Sequence, residues 1–135
     1  MLDLWECNKE RLADLQYIYF LLDELPGKIG MNKIAPPQIV SYPPNSNTFD
    51  KGGISAFVLI AESHISLHSF IEQAHVFVDI FSCKEFNIQK AIGLFVEAFG
   101  VKKVEKKILN RGAEFPKEIP LVTHIIQEER KELVK

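Results

Sequence analysis

An α+β fold, with an antiparallel sheet carrying helices on one face in a single two-layer domain over residues 1–135, is predicted by three observations on the sequence. Three strand-like segments, 54–61, 64–70 and 75–82, follow one another with no helical pattern between them, which favours antiparallel pairing. Two segments with apolar residues at three- and four-residue spacing, starting after Asn8 and near Asn87, flank that run. The composition, 47% hydrophobic and 25% charged over 135 residues, suits one hydrophobic core.

The elements follow in order. Residues 1–7 alternate, with Leu2 and Leu4 on one side, and predict a first strand. Asn8 is placed to cap a helix in which Leu12, Leu15, Tyr19, Leu22 and Leu25 form the apolar face, stopped by Pro26 and Gly27. Pro36, Pro37, Pro43 and Pro44 mark residues 28–53 as loop-rich, with a short strand at 38–42. Segment 54–61 is almost continuously apolar, the pattern of a buried strand. Segment 64–70 alternates, setting His64, Ser66, His68 and Phe70 on one face and Ile65 and Leu67 on the other. A third strand follows at 75–82. The second helix directs Ile88, Ala91, Ile92, Phe95, Val96 and Phe99 inward and ends at Gly100. A last strand at 101–109 and a polar C-terminal helix marked by Leu121, Ile125, Glu129 and Leu133 complete the order.

Charge excludes little but points away from nucleic acid. The net charge is -2, and Lys102, Lys103, Lys106 and Lys107 are interrupted by Glu105 and flanked by apolar residues, as on a solvated face. No apolar run approaches the ~20 residues that cross a bilayer. The opening Met1, Leu2, Asp3, Leu4, Trp5 and Glu6 lack the basic and apolar regions of a signal peptide. No nucleic-acid or membrane partner is therefore expected, and a cytoplasmic setting is. Two cysteines, Cys7 and Cys83, make no disulfide framework there.

Chemistry concentrates between residues 61 and 83. Three of the four histidines, His64, His68 and His75, fall within twelve positions, Ser63, Ser66 and Ser69 lie among them, and Cys83 follows. Residue chemistry leaves four readings open. Histidines with a cysteine are zinc-type ligands, although they lack compact paired spacing here. Cys83 with a histidine makes a nucleophile and its base. A polar strand edge with satisfied histidines needs no function. A serine hydroxyl beside a strained peptide attacks the preceding carbonyl to give an ester, and elimination and hydrolysis then leave a terminal carbonyl. That carbonyl condenses with a substrate amine and serves as an electron sink for decarboxylation.

The run Glu62, Ser63, His64, Ile65, Ser66, Leu67, His68, Ser69, followed by Phe70, Ile71, Glu72 and then Asp79, Ile80, Phe81, Ser82, Cys83, resembles the small prokaryotic S-adenosylmethionine decarboxylases. Their pattern is Glu-Ser-His-(Leu/Ile)-(Thr/Ser)-(Ile/Leu)-His-Thr-Trp-Pro-Glu, then Asp-(Val/Leu/Ile)-Phe-(Thr/Ser)-Cys. The resemblance extends to the stretch from Trp5 to Glu10, to Phe49, and to Gly53, Ile54 and Ser55. It implies autocatalytic cleavage between Glu62 and Ser63, giving a β chain of residues 1–62 and an α chain of residues 63–135 that opens with a pyruvoyl group made from Ser63. His68 would serve the self-processing with help from Ser55, and Cys83 would protonate the decarboxylated carbanion. Phe49 and Phe70 match aromatic positions around the substrate adenine, and Glu72 the carboxylate that holds its ribose. No metal is implied. The resemblance further implies a homodimer of processed αβ protomers whose pockets draw residues from both.

The sequence departs from that pattern near the nucleoside. Trp-Pro-Glu is Phe70, Ile71, Glu72 here, the usual Tyr-Gly-Tyr is Gln73, Ala74, His75, and the glycine after Ser55 is Ala56. The function expected is decarboxylation of S-adenosylmethionine to the aminopropyl donor for spermidine. A pyruvoyl-dependent ornithine or arginine decarboxylase, or an unprocessed non-catalytic paralogue, are the alternatives.

Overall fold

Leu2 and Leu4 alternate with Asp3 and Trp5 in the first strand, β1 (Leu2–Trp5), and both leucines are buried. The computed structural model describes residues 1–43 and 51–111. The C-terminal helix expected at residues 121–133 and the position of Phe49 lie outside them. After β1 come α1 (Lys9–Ala13), α2 (Leu15–Lys28), β2 (Gln38–Tyr42), β3 (Gly53–Ile60), β4 (Ser63–Phe70), β5 (His75–Ser82), α3 (Ile88–Phe99) and β6 (Lys103–Lys106). The six strands form one antiparallel sheet in the order β2-β3-β4-β5-β1-β6, so β1 lies between β5 and β6. The three helices pack against it, which makes the α+β two-layer architecture expected from the sequence.

The core forms where the apolar parity of the strands meets the helices. Val58 stands opposite Ile65, Leu67 opposite Val78, and Leu4 opposite Val76. All are buried beneath Leu12, Ile18, Leu22, Leu25, Phe95 and Phe99. Each such side chain contributes roughly 1.5–3 kcal/mol on leaving water. Ser69 shares this face and is fully buried, yet it is satisfied: it accepts from the Ile54 N–H at 3.1 Å and donates to the Leu12 carbonyl at 3.2 Å. Those bonds fasten α1 to the centre of the sheet.

Several expected boundaries move for local reasons. The single helix expected after Asn8 is two, because the Asp14 carboxylate accepts from the Tyr17 N–H at 2.9 Å and starts a second helix. Leu15, expected inside, is therefore exposed, and Ile18 takes the buried place. Pro26 does not stop α2, since it occupies the last turn, which Ile29 closes by donating to Leu25 and Pro26. In α3, Ala91, Phe95, Ala98 and Phe99 are buried while Ile88, Ile92 and Val96 are only half-buried. Asn87 caps the start of α3 and Gly100, at φ 61°, its end. The strand expected at 101–109 shortens to β6, an edge strand exposed at all four positions.

The largest correction concerns β3, whose continuous apolarity suggests burial on both sides. Among the described residues only one side is covered. Phe57 is 43% and Leu59 41% exposed on the other, beside Val40 at 63% and Phe77 at 38%. The open face of the sheet thus carries apolar side chains on β2, β3 and β5, beside the polar Ser66 and His68 of β4. No helix among the described residues is long and apolar enough to cross a membrane.

Candidate active site

β3 and β4 are joined by only two residues, Ala61 and Glu62, with Ile60 opposite Ser63 as the last pair. Two-residue hairpins favour primed turns, which place one or both central residues at positive φ to match the strand twist. Neither Ala61 nor Glu62 is at positive φ. The distortion appears one residue later, where Ser63 has φ 152°. L-residues avoid this region, and holding one there costs on the order of 1–3 kcal/mol.

Two neighbours hold the turn in that shape. Asn32 donates from its backbone N–H and its side-chain amide to the two carboxylate oxygens of Glu62, at 3.1 and 3.0 Å. Its carbonyl accepts from the Ala61 N–H at 2.8 Å. On the other side the Cys83 N–H donates to the Glu62 carbonyl oxygen at 3.0 Å. That bond polarises the carbonyl that the Ser63 hydroxyl adjoins, and His64 Nδ1 lies 3.3 Å from Ser63 Oγ. A strained peptide, a polarised carbonyl and a hydroxyl beside an imidazole together fit acyl transfer from nitrogen to oxygen.

The bond from the Asn32 N–H, more than the Asn32 side chain or the Lys84 ammonium, keeps the Glu62 carboxyl below its usual range. A depressed carboxylate adds stability that is fully present above its unfolded value of about 4.3 and is lost as pH falls through the lower folded value. Thermal unfolding followed below about pH 4.3 should therefore show a loss of stability that Glu62→Gln reduces. An identical acid profile in that variant would remove Glu62 from the turn's support.

A second cluster occupies the open face farther along β4. His68 is held at both ring nitrogens, by Ser55 Oγ 2.7 Å from Nδ1 and by the Tyr42 hydroxyl 3.2 Å from Nε2. The Phe70 ring meets His68 edge-on at 5.0 Å and Phe77 at 5.5 Å. His75, whose ring Trp5 covers in a stack at 3.6 Å, stays neutral more readily than usual because it is buried. Trp5 Nε1 and His75 Nε2 have no hydrogen-bond partner among the described residues. Glu72 is exposed just beyond β4. Ala74, at φ 52°, closes the turn into β5 by donating its N–H to Ile71. Between β2 and β5 the open face forms a hollow of about 300 Å³ lined by Val40, Ser55, Phe57, Ser66, His68 and Asp79.

The two clusters do not meet within one protomer. Ser63 pairs with Ser82 and His68 with Phe77, five residues apart along one strand. At about 3.3 Å per residue the separation is roughly 16 Å. Glu62, Ser63 and Cys83 therefore share one end of the hairpin, whereas Ser55, His68, Phe70 and Glu72 share the other. Among the described residues no three His, Cys, Asp or Glu side chains converge as a metal site. Cys83 is exposed, while Cys7 is buried with its thiol pushed up to about 11 by desolvation.

Asn32, Tyr42 and the Cys83 backbone are contributions that sequence reasoning misses. Asn32 reaches Glu62 across thirty positions, a pairing that no motif announces. Tyr42 becomes visible only once the register sets it opposite Gly53, beside the His68 strand.

The fold and the site together define a two-layer α+β protein whose sheet carries a strained Glu62-Ser63 hairpin. The profile of the S-adenosylmethionine decarboxylase family matches residues 1–112. An S-adenosylmethionine decarboxylase proenzyme of Clostridium botulinum strain Langeland is 31% identical over 113 residues, covering 83% of this chain and 90% of that protein. One of Archaeoglobus fulgidus is 29% identical over 111 residues, covering 82% and 92%. The crystal structure of the adenosylmethionine decarboxylase from Aquifex aeolicus superposes with a TM-score of 0.69 at 22% identity, over 87% of this chain and 90% of that one. The chain belongs to the prokaryotic-type S-adenosylmethionine decarboxylase family.

Proposed function

We propose that this chain is a cytoplasmic pyruvoyl-dependent S-adenosylmethionine decarboxylase that cuts itself between Glu62 and Ser63. The observation that carries the reading is the Ser63 backbone at φ 152°, next to a Glu62 carbonyl that the Cys83 N–H polarises. Ser63 Oγ attacks the Glu62 carbonyl carbon and the peptide C–N bond breaks. The hydroxyl proton passes through His64 Nδ1 to the freed nitrogen of Ser63, leaving an ester. Loss of the Ser63 Cα proton, with His68 and Ser55 assisting, expels the Glu62 carboxylate and leaves dehydroalanine. Water and loss of ammonia convert it to the ketone. The pyruvoyl carbonyl supplies the electron sink for decarboxylation. Cys83, exposed beside it, donates the proton that replaces the carboxylate.

The roughly 16 Å between Ser63 and His68 supports a homodimer in which His68 and Ser55 of the partner subunit complete the site around Ser63. The open apolar face, with Val40, Phe57, Leu59 and Phe77 uncovered, is a surface suited to a second copy. Phe49 and Phe70 are assigned to the adenine and Glu72 to the ribose hydroxyls. A sulfonium cation near aromatic faces gains roughly 0.5–2 kcal/mol.

Two measurements test this. Intact mass should resolve the 15.4 kDa chain into two fragments that part at Glu62–Ser63. In competition, the processed protein should release CO₂ from S-adenosylmethionine in preference to ornithine, arginine or lysine, and Glu72→Gln should lower that preference. A single uncut chain that is still active overturns the pyruvoyl chemistry. Higher efficiency on ornithine or arginine, indifferent to Glu72→Gln, overturns the substrate and leaves the chemistry.

A further inference from the structure

His68 has a partner at each ring nitrogen, and the partners are chemically unequal. A neutral imidazole offers one donor and one acceptor, so one hydroxyl donates to the ring and the other receives from it. A phenol such as Tyr42 is a far stronger hydrogen-bond donor than an aliphatic hydroxyl such as that of Ser55. The balance therefore favours Tyr42 donating to Nε2, 3.2 Å away, and Nδ1–H donating to Ser55 Oγ, 2.7 Å away. Ser55 then keeps its own proton free to donate elsewhere.

The backbone is arranged to let Tyr42 reach that position. Tyr42 lies opposite Gly53, which in turn lies opposite Phe70, two positions from His68 on the same strand. To meet His68 the phenol must cross β3. A Cβ at Gly53 would stand 3.0 Å from the Tyr42 hydroxyl, as well as 1.9 Å from the Ser69 carbonyl oxygen, so the glycine leaves the path open. The Tyr42 and His68 rings then lie nearly parallel, 5.6 Å between centroids and 20° between planes.

We propose that Tyr42 is a positioning residue for self-processing: its hydroxyl fixes His68 in the Nδ1–H form and turns the Ser55 hydroxyl into a donor toward the bond being cut in the partner subunit. This rests on the self-cleavage and dimer reading above. It assigns to an edge-strand tyrosine the choice of which site group gives a proton and which accepts one.

Tyr42→Phe keeps the ring and removes only the hydroxyl. Two readouts on the full chain test the proposal. The rate at which fragments 1–62 and 63–135 appear should fall roughly three- to tenfold, the value of one lost hydrogen bond, with thermal stability nearly unchanged. In Ser63→Ala chains, which stay uncut, the ¹⁵N resonances of the His68 ring should report a proton on Nδ1. Adding Tyr42→Phe should move it toward Nε2. Equal cleavage rates, or slower cleavage with ring resonances that do not move, would overturn the proposal, the latter by leaving Tyr42 a packing residue. If the wild type cleaves and Tyr42→Phe gives either of those overturning results, only this inference falls. A wild type that never cleaves overturns the self-cleavage reading and this inference with it.

Discussion

Ser63→Ala and His68→Ala chains, each uncut when made alone, should regain cleavage when made together. In a mixed dimer one site pairs the intact Ser63 of the His68→Ala chain with the intact His68 of its partner subunit, and the other site loses both. Random pairing makes about half of all dimers mixed, so about half of the His68→Ala chains should be cut and none of the Ser63→Ala chains. The basis is the geometry of β4, whose two ends hold the nucleophile and the imidazole roughly 16 Å apart. Mass spectrometry of the co-expressed pair reads the outcome directly. Cleavage of His68→Ala chains on their own would take His68 out of processing, and no cleavage in the mixture would place both groups in one protomer.

Cys83→Ala should cleave normally and then turn over slowly. Residue 83 contributes two different groups. Its backbone N–H holds the Glu62 carbonyl at 3.0 Å, and any residue but proline supplies that bond. Its thiol is exposed, and in the proposed chemistry it would be needed only once the new N-terminus exists. A positioned acid is worth ~10²–10⁴-fold in rate, so turnover by the fully cut variant should fall by about that factor. Unchanged turnover would move the proton donor elsewhere. Failure to cut would mean that the thiol, rather than the amide, serves processing.

The sequence made β2, β5 and the caps of α3 legible because their signals are local. Prolines bracket Gln38–Tyr42, β-branched and aromatic residues fill His75–Ser82, and Asn87 and Gly100 do the capping. It misled at β3, where the apolarity of Phe57 and Leu59 fits either a covered layer or a face awaiting another chain. It hid the break at Asp14, where an acidic residue inside an apolar rhythm became a second cap. In the site, Ser63 and Cys83 stand out by resemblance and the fold links their ends through the Glu62 carbonyl. The separation of Ser63 from His68 was present in their spacing once both lie on one strand. The grips of Asn32 and Tyr42 depend on which strands become neighbours, and no linear pattern encodes that.

The place of the proposed cut in the sheet order has a consequence for refolding. Residues 1–62 would keep β1, β2 and β3, and residues 63–111 carry β4, β5 and β6. Since the order is β2-β3-β4-β5-β1-β6, β1 of the first piece is clasped on both sides by strands of the second. The eight pairs from Gly53–Phe70 to Ile60–Ser63 also survive loss of their turn. The nicked pieces are thus interlaced rather than merely adjacent and should not drift apart. Yet a hairpin that once closed within one chain on a microsecond scale becomes an encounter between two molecules, limited by dilution. The uncut precursor folds unimolecularly, whereas the mature pair, once melted, must reassemble as a second-order process. Its working lifetime is then governed by how slowly it opens, not by how readily it returns.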